Sequence, residues 1–314
     1  MARGWNANDI PDLTGRIAVV TGANSGIGFE TARQLAMHGA RTVLACRDEK
    51  RAAEAADRIR AGFPAAAIEC YPLDLASLAS IRSFSQALHG RVSRVDILVN
   101  NAGVMRMPRR VTADGFEMQF GTNHLGHFAL TGLLLDLIIA SGAGRVVTVG
   151  SIVAWAGFLR FDDLQGIKRY SRWGAYLQSK LANLMFALEL QRRLRNRNLP
   201  VISLACHPGY AATNLQTAAS NMEGSFFGGL IYRIGNRLVA QTAARGALPS
   251  LYCSTHPDLK GGELIGPRGP LELWGAPGPA RVVPRARDEL GGRRLWDVST
   301  ELTNVPYSAL ARAA

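Results

Sequence analysis

The first apolar run of the chain, Ile17-Ala18-Val19-Val20-Thr21, is broken at once by Gly22, Gly26 and Gly28, and a helical stretch opens at about Ile27. No other feature constrains the fold as strongly. A buried strand that turns directly into a helix needs backbone conformations and close main-chain approaches that glycine alone tolerates. The same alternation continues along the chain without internal repeat. Residues 42–46, 67–71, 95–99, 144–149 and 201–205 read as strands two to six, and Leu264-Ile265 starts a seventh. Residues 50–60, 77–88, 122–140 and 176–195 between them read as helices. Near-continuous apolar strands alternating with helices predict a parallel sheet covered on both faces. Right-handed crossovers then make it an α/β, doubly wound fold, with ligands bound beyond the carboxyl ends of the strands.

Composition narrows the class. With 47% hydrophobic and 19% charged residues, the 314-residue chain is neither disordered nor of low complexity. Cys46, Cys70, Cys206 and Cys253 form no C-x-x-C pair, which leaves out zinc-ribbon and thioredoxin-like motifs. Free thiols in a large core suit a reducing compartment. A net charge of +12 favours anionic partners such as phosphorylated cofactors, nucleic acid or acidic lipid. No nucleic-acid reader motif accompanies it, so no nucleic acid is expected. Residues 1–11 lack the apolar core of a signal peptide. Residues 118–135 carry Gln119, Asn123, His124 and His127, which make a poor membrane span and a good buried helix. The expected location is cytoplasmic, without a transmembrane span. His124 and His127 read as packing residues, and no metal site is expected. Residues 1–14 form an arm, 15–266 one catalytic domain with a substrate loop at about 210–241, and 267–314 an arginine-rich tail packed on it. Gly- and Pro-rich residues 261–279 read as a closing loop.

The turn Thr21-Gly22-Ala23-Asn24-Ser25-Gly26-Ile27-Gly28 is built for a dinucleotide. Gly22 permits the tight bend, Gly26 lets backbone N–H groups reach a pyrophosphate at the helix N-terminus, and Gly28 allows close helix–sheet packing. At the end of strand two an acid would select NAD, whereas an arginine accommodates the 2′-phosphate of NADP. Here Cys46 stands in the place of the acid, Arg47 follows, and Asp48 is one step further and points away. NADP(H) is therefore the expected cofactor, with NAD(H) the alternative. Tyr176 and Lys180 are four apart on one helix face. Bringing a phenol from a pKa near 10 to near 7 takes about 4 kcal/mol. An ammonium ~4 Å away at an effective dielectric of about 20 supplies a similar amount. Tyr176 is thus the expected acid/base of a hydride transfer, tuned by Lys180.

Taken together, the G-x-x-x-G-x-G turn, Asn100-Asn101-Ala102-Gly103 after strand four, Tyr176-x-x-x-Lys180 and Pro208-Gly209 after strand six resemble the short-chain dehydrogenase/reductase family. Asp74 and Asn123 match in order, and the resemblance covers residues 13–266. It implies a Rossmann fold and an oxidoreductase acting on a carbonyl–alcohol pair. It implies that Ser151 orients the substrate oxygen, Asn123 holds a relay water, and Lys180 also holds the nicotinamide ribose. Asp74 and Leu75 would line the adenine, with Asp74 alternatively a helix N-cap. Asn101, Ala102 and Gly103 would line the middle of the cofactor, Ile27 would lie beside its pyrophosphate, Pro208 and Gly209 would close its far end, and Thr213 would bond its carboxamide. Gly150 departs from a second serine usual in the family. Ser151 and Tyr176 stand 25 residues apart, a longer separation than in the shortest members. The extra segment, 155–170, carries Phe158, Phe161, Leu164 and Ile167. With Ala45-Cys46-Arg47 and Asn123-His124-Leu125-Gly126-His127-Phe128, it resembles the retinol dehydrogenase and protochlorophyllide-reductase-like branch. That implies a lipophilic small-molecule alcohol or carbonyl as substrate. The apolar run 226–232 fits a pocket, core or a peripheral membrane contact, and the stripe Leu177, Leu181, Leu184, Leu188 fits a homo-oligomer contact or core. The alternatives are an NAD-linked alcohol dehydrogenase and a cofactor-binding regulator that has lost its chemistry.

Overall fold

Valine, leucine, isoleucine and alanine fill the strands, and a computed structural model describing residues 4–210 and 241–312 shows where both their faces go. Eight strands form one sheet in the order β3-β2-β1-β4-β5-β6-β7-β8. They are β1 Ile17–Thr21, β2 Arg41–Cys46, β3 Ile68–Pro72, β4 Ile97–Asn100, β5 Gly144–Val149, β6 Val201–Cys206, β7 Leu264–Pro267 and β8 Pro277–Pro279. The first seven run parallel, and β8 pairs antiparallel with β7. Helices α1 (Gly26–Met37), α2 (Glu49–Gly62) and α3 (Leu78–His89) alternate with the first strands. A short turn α4 (Met118–Phe120), then α5 (Gly126–Ile139) and α6 (Arg172–Asn196) follow, and beyond residue 241 come α7 (Ala243–Thr255), α8 (Glu289–Thr303) and α9 (Ser308–Arg312).

The pleat sends successive residues to opposite cores. Ala18, Val20, Ile97 and Val99 pack with α1, α2 and α7. Val19 and Leu98 pack with α3, α5 and the buried end of α6. Strand order reverses between β1 and β4, which opens the crevice expected of a doubly wound sheet. Local signals set the helix starts. The Asp48 carboxylate caps α2 by accepting from Arg51 N, and Ser77 and Ser171 cap α3 and α6 in the same way. Because Ser171 caps it, α6 begins a turn earlier than the apolar pattern indicates, and Tyr176 lies inside the helix.

Two differences from the expected elements have physical reasons. Residues 261–279 are not only a closing loop after the expected seventh strand, since an eighth, β8, pairs back on β7. Two prolines can enter β8 because it lies at the sheet edge, where a missing N–H costs no ladder bond. The expected long helix at 122–140 is interrupted by a π turn, Gly121–Leu125, before α5. Residues after 280 bury Trp296 and Tyr307 against Phe128, and the Tyr307 hydroxyl donates to Phe128 O at 2.8 Å. Cys46, Cys206 and Cys253 are buried free thiols, whereas Cys70 is exposed, because β3 is the other edge strand. Leu181 and Leu184 of the α6 stripe are core. Among the described residues no helix is long and apolar enough to cross a membrane.

His124 and His127 are buried on successive turns, and burial pulls them down to about 3 and about 4. In the unfolded chain a histidine titrates near 6.5, so between about pH 6.5 and 3 the unfolded state holds more protons and stability rises with pH. Urea unfolding should therefore show a midpoint that is highest above pH 6.5 and falls steadily toward pH 4. A His124→Gln variant should show a shallower fall over the same window.

Candidate active site

The carboxyl ends of β1 to β6 open into one cleft of about 420 Å³. At its centre Gly22 and Gly26 adopt left-handed φ of +65° and +57°, as a bend of this kind requires. A Cβ on Gly28 would stand 2.5 Å from Gly22 O and 2.4 Å from Asn101 Nδ2. Its smallness thus serves the turn and the β4 end, rather than the sheet as expected. Asn24, Ser25 and Ile27 line the same bend.

A hydroxyl joins this turn to the next one. Thr21 Oγ1 accepts from Asn101 N and Ala102 N, each at 2.9 Å, and lies 2.9 Å from His127 Nε2. His127 Nδ1 lies 2.9 Å from Asn123 O. A carbonyl only accepts, so Nδ1 carries the proton and Nε2 accepts from the threonine hydroxyl. Burial keeps the ring neutral, as this arrangement needs. The Asn101 side chain donates to Thr21 O at 2.8 Å, so it ties β4 to β1 while its residue lines the cleft. Neither Thr21 nor His127 carried a sequence signal for this role.

At the β2 end Cys46 is buried, and its thiol is pushed up to about 11 by burial, so it stays neutral. Arg47 is exposed on the cleft rim and forms no ion pair or hydrogen bond with the described residues. Asp48 is engaged in capping and lies 3.5 Å from Arg51 Nε. Arg51, a second cation on this rim, was not foreseen, because it lies a helical turn beyond the strand end. Leu75 lines the cleft beside Asp74. Asp74 is not the cap of α3, which is Ser77. Its Oδ1 instead accepts from Ala76 N at 2.9 Å and closes a side-chain turn.

At the other end stand Ser151, Tyr176 and Lys180. Ser151 directly follows the Gly150 bend at the end of β5, where a Cβ would stand 2.7 Å from Leu184 Cδ2, so a second serine would need that leucine to shift. Tyr176 and Lys180 are both buried on α6. Burial pushes the phenol up to about 12, opposed by a hydrogen bond with Ser151. Burial pulls the Lys180 amine down to about 8. The expected lowering of the phenol by the lysine is therefore not what the structure shows. The Lys180 ammonium donates to Val149 O at 3.0 Å and lies 5.9 Å from the centre of the Tyr176 ring, too far to outweigh desolvation.

Asn123 sits in the π turn and does not line the cleft. Its Oδ1 accepts from Val104 N at 2.7 Å, and its Nδ2 donates to Val104 O and Ser179 Oγ, each at 2.9 Å. A Cβ on Gly103 would stand 3.0 Å from Asn123 Oδ1. The asparagine thus pins the β4 loop to α6 one residue before Lys180. The Glu117 carboxylate starts the distorted helix by accepting from Gln119 N and Phe120 N. Pro208 and Gly209 close the far end of the cleft. Thr213 and the 226–232 run lie outside the described residues. The mouth is formed by Met105, Ile152, Val153, Trp173 and Tyr210, none of which stood out in sequence. The 155–170 segment is stitched in by polar bonds, Arg160 N to Gln178 Oε1 and Tyr170 OH to Glu117, while Phe158 and Ile167 remain exposed.

Comparison with known proteins places the chain in a family. The family described as short chain dehydrogenase matches residues 16–224. Human retinol dehydrogenase 12 is 41% identical over 297 residues, which cover 94% of this chain and 88% of that protein. Human retinol dehydrogenase 14 is 40% identical over 303 residues, covering 91% and 86%. A crystal structure of an uncharacterised protein from Mycobacterium paratuberculosis superposes with a TM-score of 0.81 at 42% identity, covering 97% of this chain and 99% of that one. A Beutenbergia cavernae protein assigned as an NAD(P)-dependent gluconate 5-dehydrogenase, with NADP bound at low occupancy, gives a TM-score of 0.62 at 26% identity, covering 81% and 95%. The chain belongs to the short-chain dehydrogenase/reductase family, in its retinol dehydrogenase-like branch, and is an oxidoreductase of the alcohol–carbonyl class.

Proposed function

We propose that the protein is an NADP(H)-dependent carbonyl reductase for lipophilic substrates, with Tyr176 as the proton donor. One observation carries this reading: Ser151, a buried phenol and a buried lysine stand at one end of a cleft whose other end presents Arg47, which pairs with none of the described residues. The glycine bend fits a dinucleotide. Gly22 and Gly26 hold left-handed backbone conformations in the bend that opens α1, and a Cβ on Gly22 would stand 3.0 Å from that of Ala102. NADPH, when bound, supplies the hydride. Arg47 would hold its 2′-phosphate, as the NADP-bound Beutenbergia relative makes reasonable for the fold. The apolar mouth and the retinol dehydrogenase relatives favour a lipophilic carbonyl.

The protein's own part in the reaction is proton supply in a dry site. A phenol pushed up to about 12 is fully protonated at neutral pH, so Tyr176 meets a carbonyl substrate as an acid. Ser151 sits beside that hydroxyl and bonds the substrate oxygen as negative charge develops on it. The Lys180 charge attracts the phenolate left behind, although it is not near enough to lower the resting phenol. A phenol of this kind is a poor base, which favours reduction over oxidation near neutral pH.

Tyr176→Phe should lower reductive turnover by ~10²–10⁴-fold while leaving NADPH binding intact, measured on a carbonyl panel by nicotinamide absorbance. Unchanged turnover would remove the phenol from the chemistry. Absence of turnover in the wild type across the panel, with tight NADPH binding, would favour the silent regulator.

Arg47→Asp should shift the NADPH/NADH preference by roughly ten- to hundredfold toward NADH, the value of one charge-assisted bond. A wild type that prefers NADH would refute the assignment. The pH profile has a definite sign as well. Reductive kcat/KM should stay level from pH 6 to about 8 and then fall, because the Lys180 amine, pulled down to about 8, loses its charge before the phenol ionises.

A further inference from the structure

The far end of the cleft is held by residues that belong to none of the sequence motifs. His207 follows β6 and is buried. Its Nδ1 accepts from Gly209 N at 3.2 Å, and its Nε2 lies 2.9 Å from Glu272 Oε2. A backbone amide only donates, so Nδ1 is unprotonated and Nε2 carries the proton that Glu272 accepts. The other carboxylate oxygen of Glu272 accepts from Arg281 N at 2.9 Å. Two donors therefore converge on this side chain, and it needs two acceptors.

The segment bearing Glu272 is strained to bring it there. Leu271 and Glu272 are consecutive non-glycine residues at left-handed φ of 53° and 57°. Leu271 is 82% exposed, so its side chain does not hold this conformation. The same segment presses on the lip of the cleft. Tyr210 N donates to Leu273 O at 3.1 Å, and a Cβ on Gly209, itself at φ +64°, would stand 2.4 Å from that oxygen. The imidazole seats directly against β7 at Gly266, where a Cβ would stand 2.2 Å from Nε2.

We infer that Glu272 is a positioning residue for the nicotinamide end of the cofactor cleft: by fixing the His207 tautomer that receives the Gly209 amide, it sets the Pro208–Gly209 lip. The inference rests on the reading that this cleft holds NADP(H). The lip follows β6, beside Ser151 and Tyr176, whereas the 2′-phosphate end lies at β2, on the opposite side of β1. Damage to the lip should therefore weaken the whole dinucleotide and spare its adenosine half.

Glu272→Gln keeps the shape and leaves one acceptor for two donors. NADPH and 2′,5′-ADP are titrated against wild type and variant by tryptophan fluorescence. The expected result is an NADPH Kd about tenfold higher in Glu272→Gln, the loss of one charge-assisted bond, with the 2′,5′-ADP Kd unchanged. Leu271→Gly, which relieves the backbone and keeps the carboxylate, should bind both as the wild type does. Equal NADPH binding by wild type and Glu272→Gln, or equal weakening of both probes, would overturn the inference. A wild type that binds neither probe would instead sink the cofactor reading itself. Nitrogen-15 NMR of labelled wild type supplies a check independent of the variants. His207 should show the Nε2–H tautomer, and the Nδ1–H form would refute the arrangement.

Discussion

One hydroxyl, that of Thr21, stands where the sheet changes direction, and much of the cleft is registered on it. It receives two amides from the β4 turn and gives its proton to His127, which in turn holds the carbonyl of Asn123. Three segments distant in sequence, the ends of β1 and β4 and the π turn before α5, are thereby fixed to one another. The network needs an imidazole with a defined tautomer and no charge. The Asn123 carbonyl sets the tautomer and burial keeps the ring neutral, since a protonated ring would put a second donor against the hydroxyl and strip it of its acceptor. Left with no side-chain hydroxyl at position 21, the Ala102 amide would lose its acceptor while Asn101 N would keep Val99 O at 3.0 Å, and an unmet donor is the costly direction in which to break a hydrogen bond.

The same dryness governs the reactive end. Tyr176 and Lys180 sit on one buried helical face, and desolvation moves each toward its neutral form. The simple picture of a lysine dragging a phenol down toward neutrality neglects what burial does to both. In the site as built, the Val149 carbonyl engages the ammonium and the Ser151 hydroxyl engages the phenol. A neutral phenol poised beside a serine is a donor waiting for a basic oxygen. In the proposed reduction that oxygen is the one a carbonyl presents under hydride attack.

Much of this was legible in the chain because it is written locally. A strand, a glycine bend and a helix occupy a dozen consecutive residues, and Tyr176 and Lys180 are one helical turn apart, so spacing alone places them. Arg47 could be placed on the cleft because it directly follows the end of β2. The features that were not legible depend on contacts between distant segments. Thr21 looks like any strand-end threonine until Asn101 and His127 are brought to it. Glu272 lies in a Gly- and Pro-rich stretch whose pairing as β7 and β8 is decided by the sheet edge, not by propensity. Trp296 and Tyr307 are masked by the arginines around them, although both rings reach the core beside Phe128. The phenol's direction of shift was misjudged for a related reason: spacing gives the neighbour, and only the fold gives the depth.

The added segment between Ser151 and Tyr176 shows how a wall can be lengthened without disturbing the centre. Its anchors are polar and lie away from the reacting end. Gln178 spans the Arg160 amide and the Leu164 carbonyl, and Tyr170 bridges Glu117 and Met107 O. Glu117 is also the cap of the helix that carries Asn123, so the inserted wall and the distorted helix share one carboxylate. Apolar side chains are then free for other uses. Leu164 packs inward, while Trp155, Phe158 and Ile167 stay exposed. Trp173, on the first turn of α6, stacks edge-on to Tyr176 at 6.2 Å and beneath the Arg106 guanidinium at 5.1 Å. The wall is therefore apolar at Trp173 and is held in place by hydrogen bonds behind it. That division lets the wall vary in length while the spacing of Ser151, Tyr176 and Lys180, fixed by β5 and α6, stays the same.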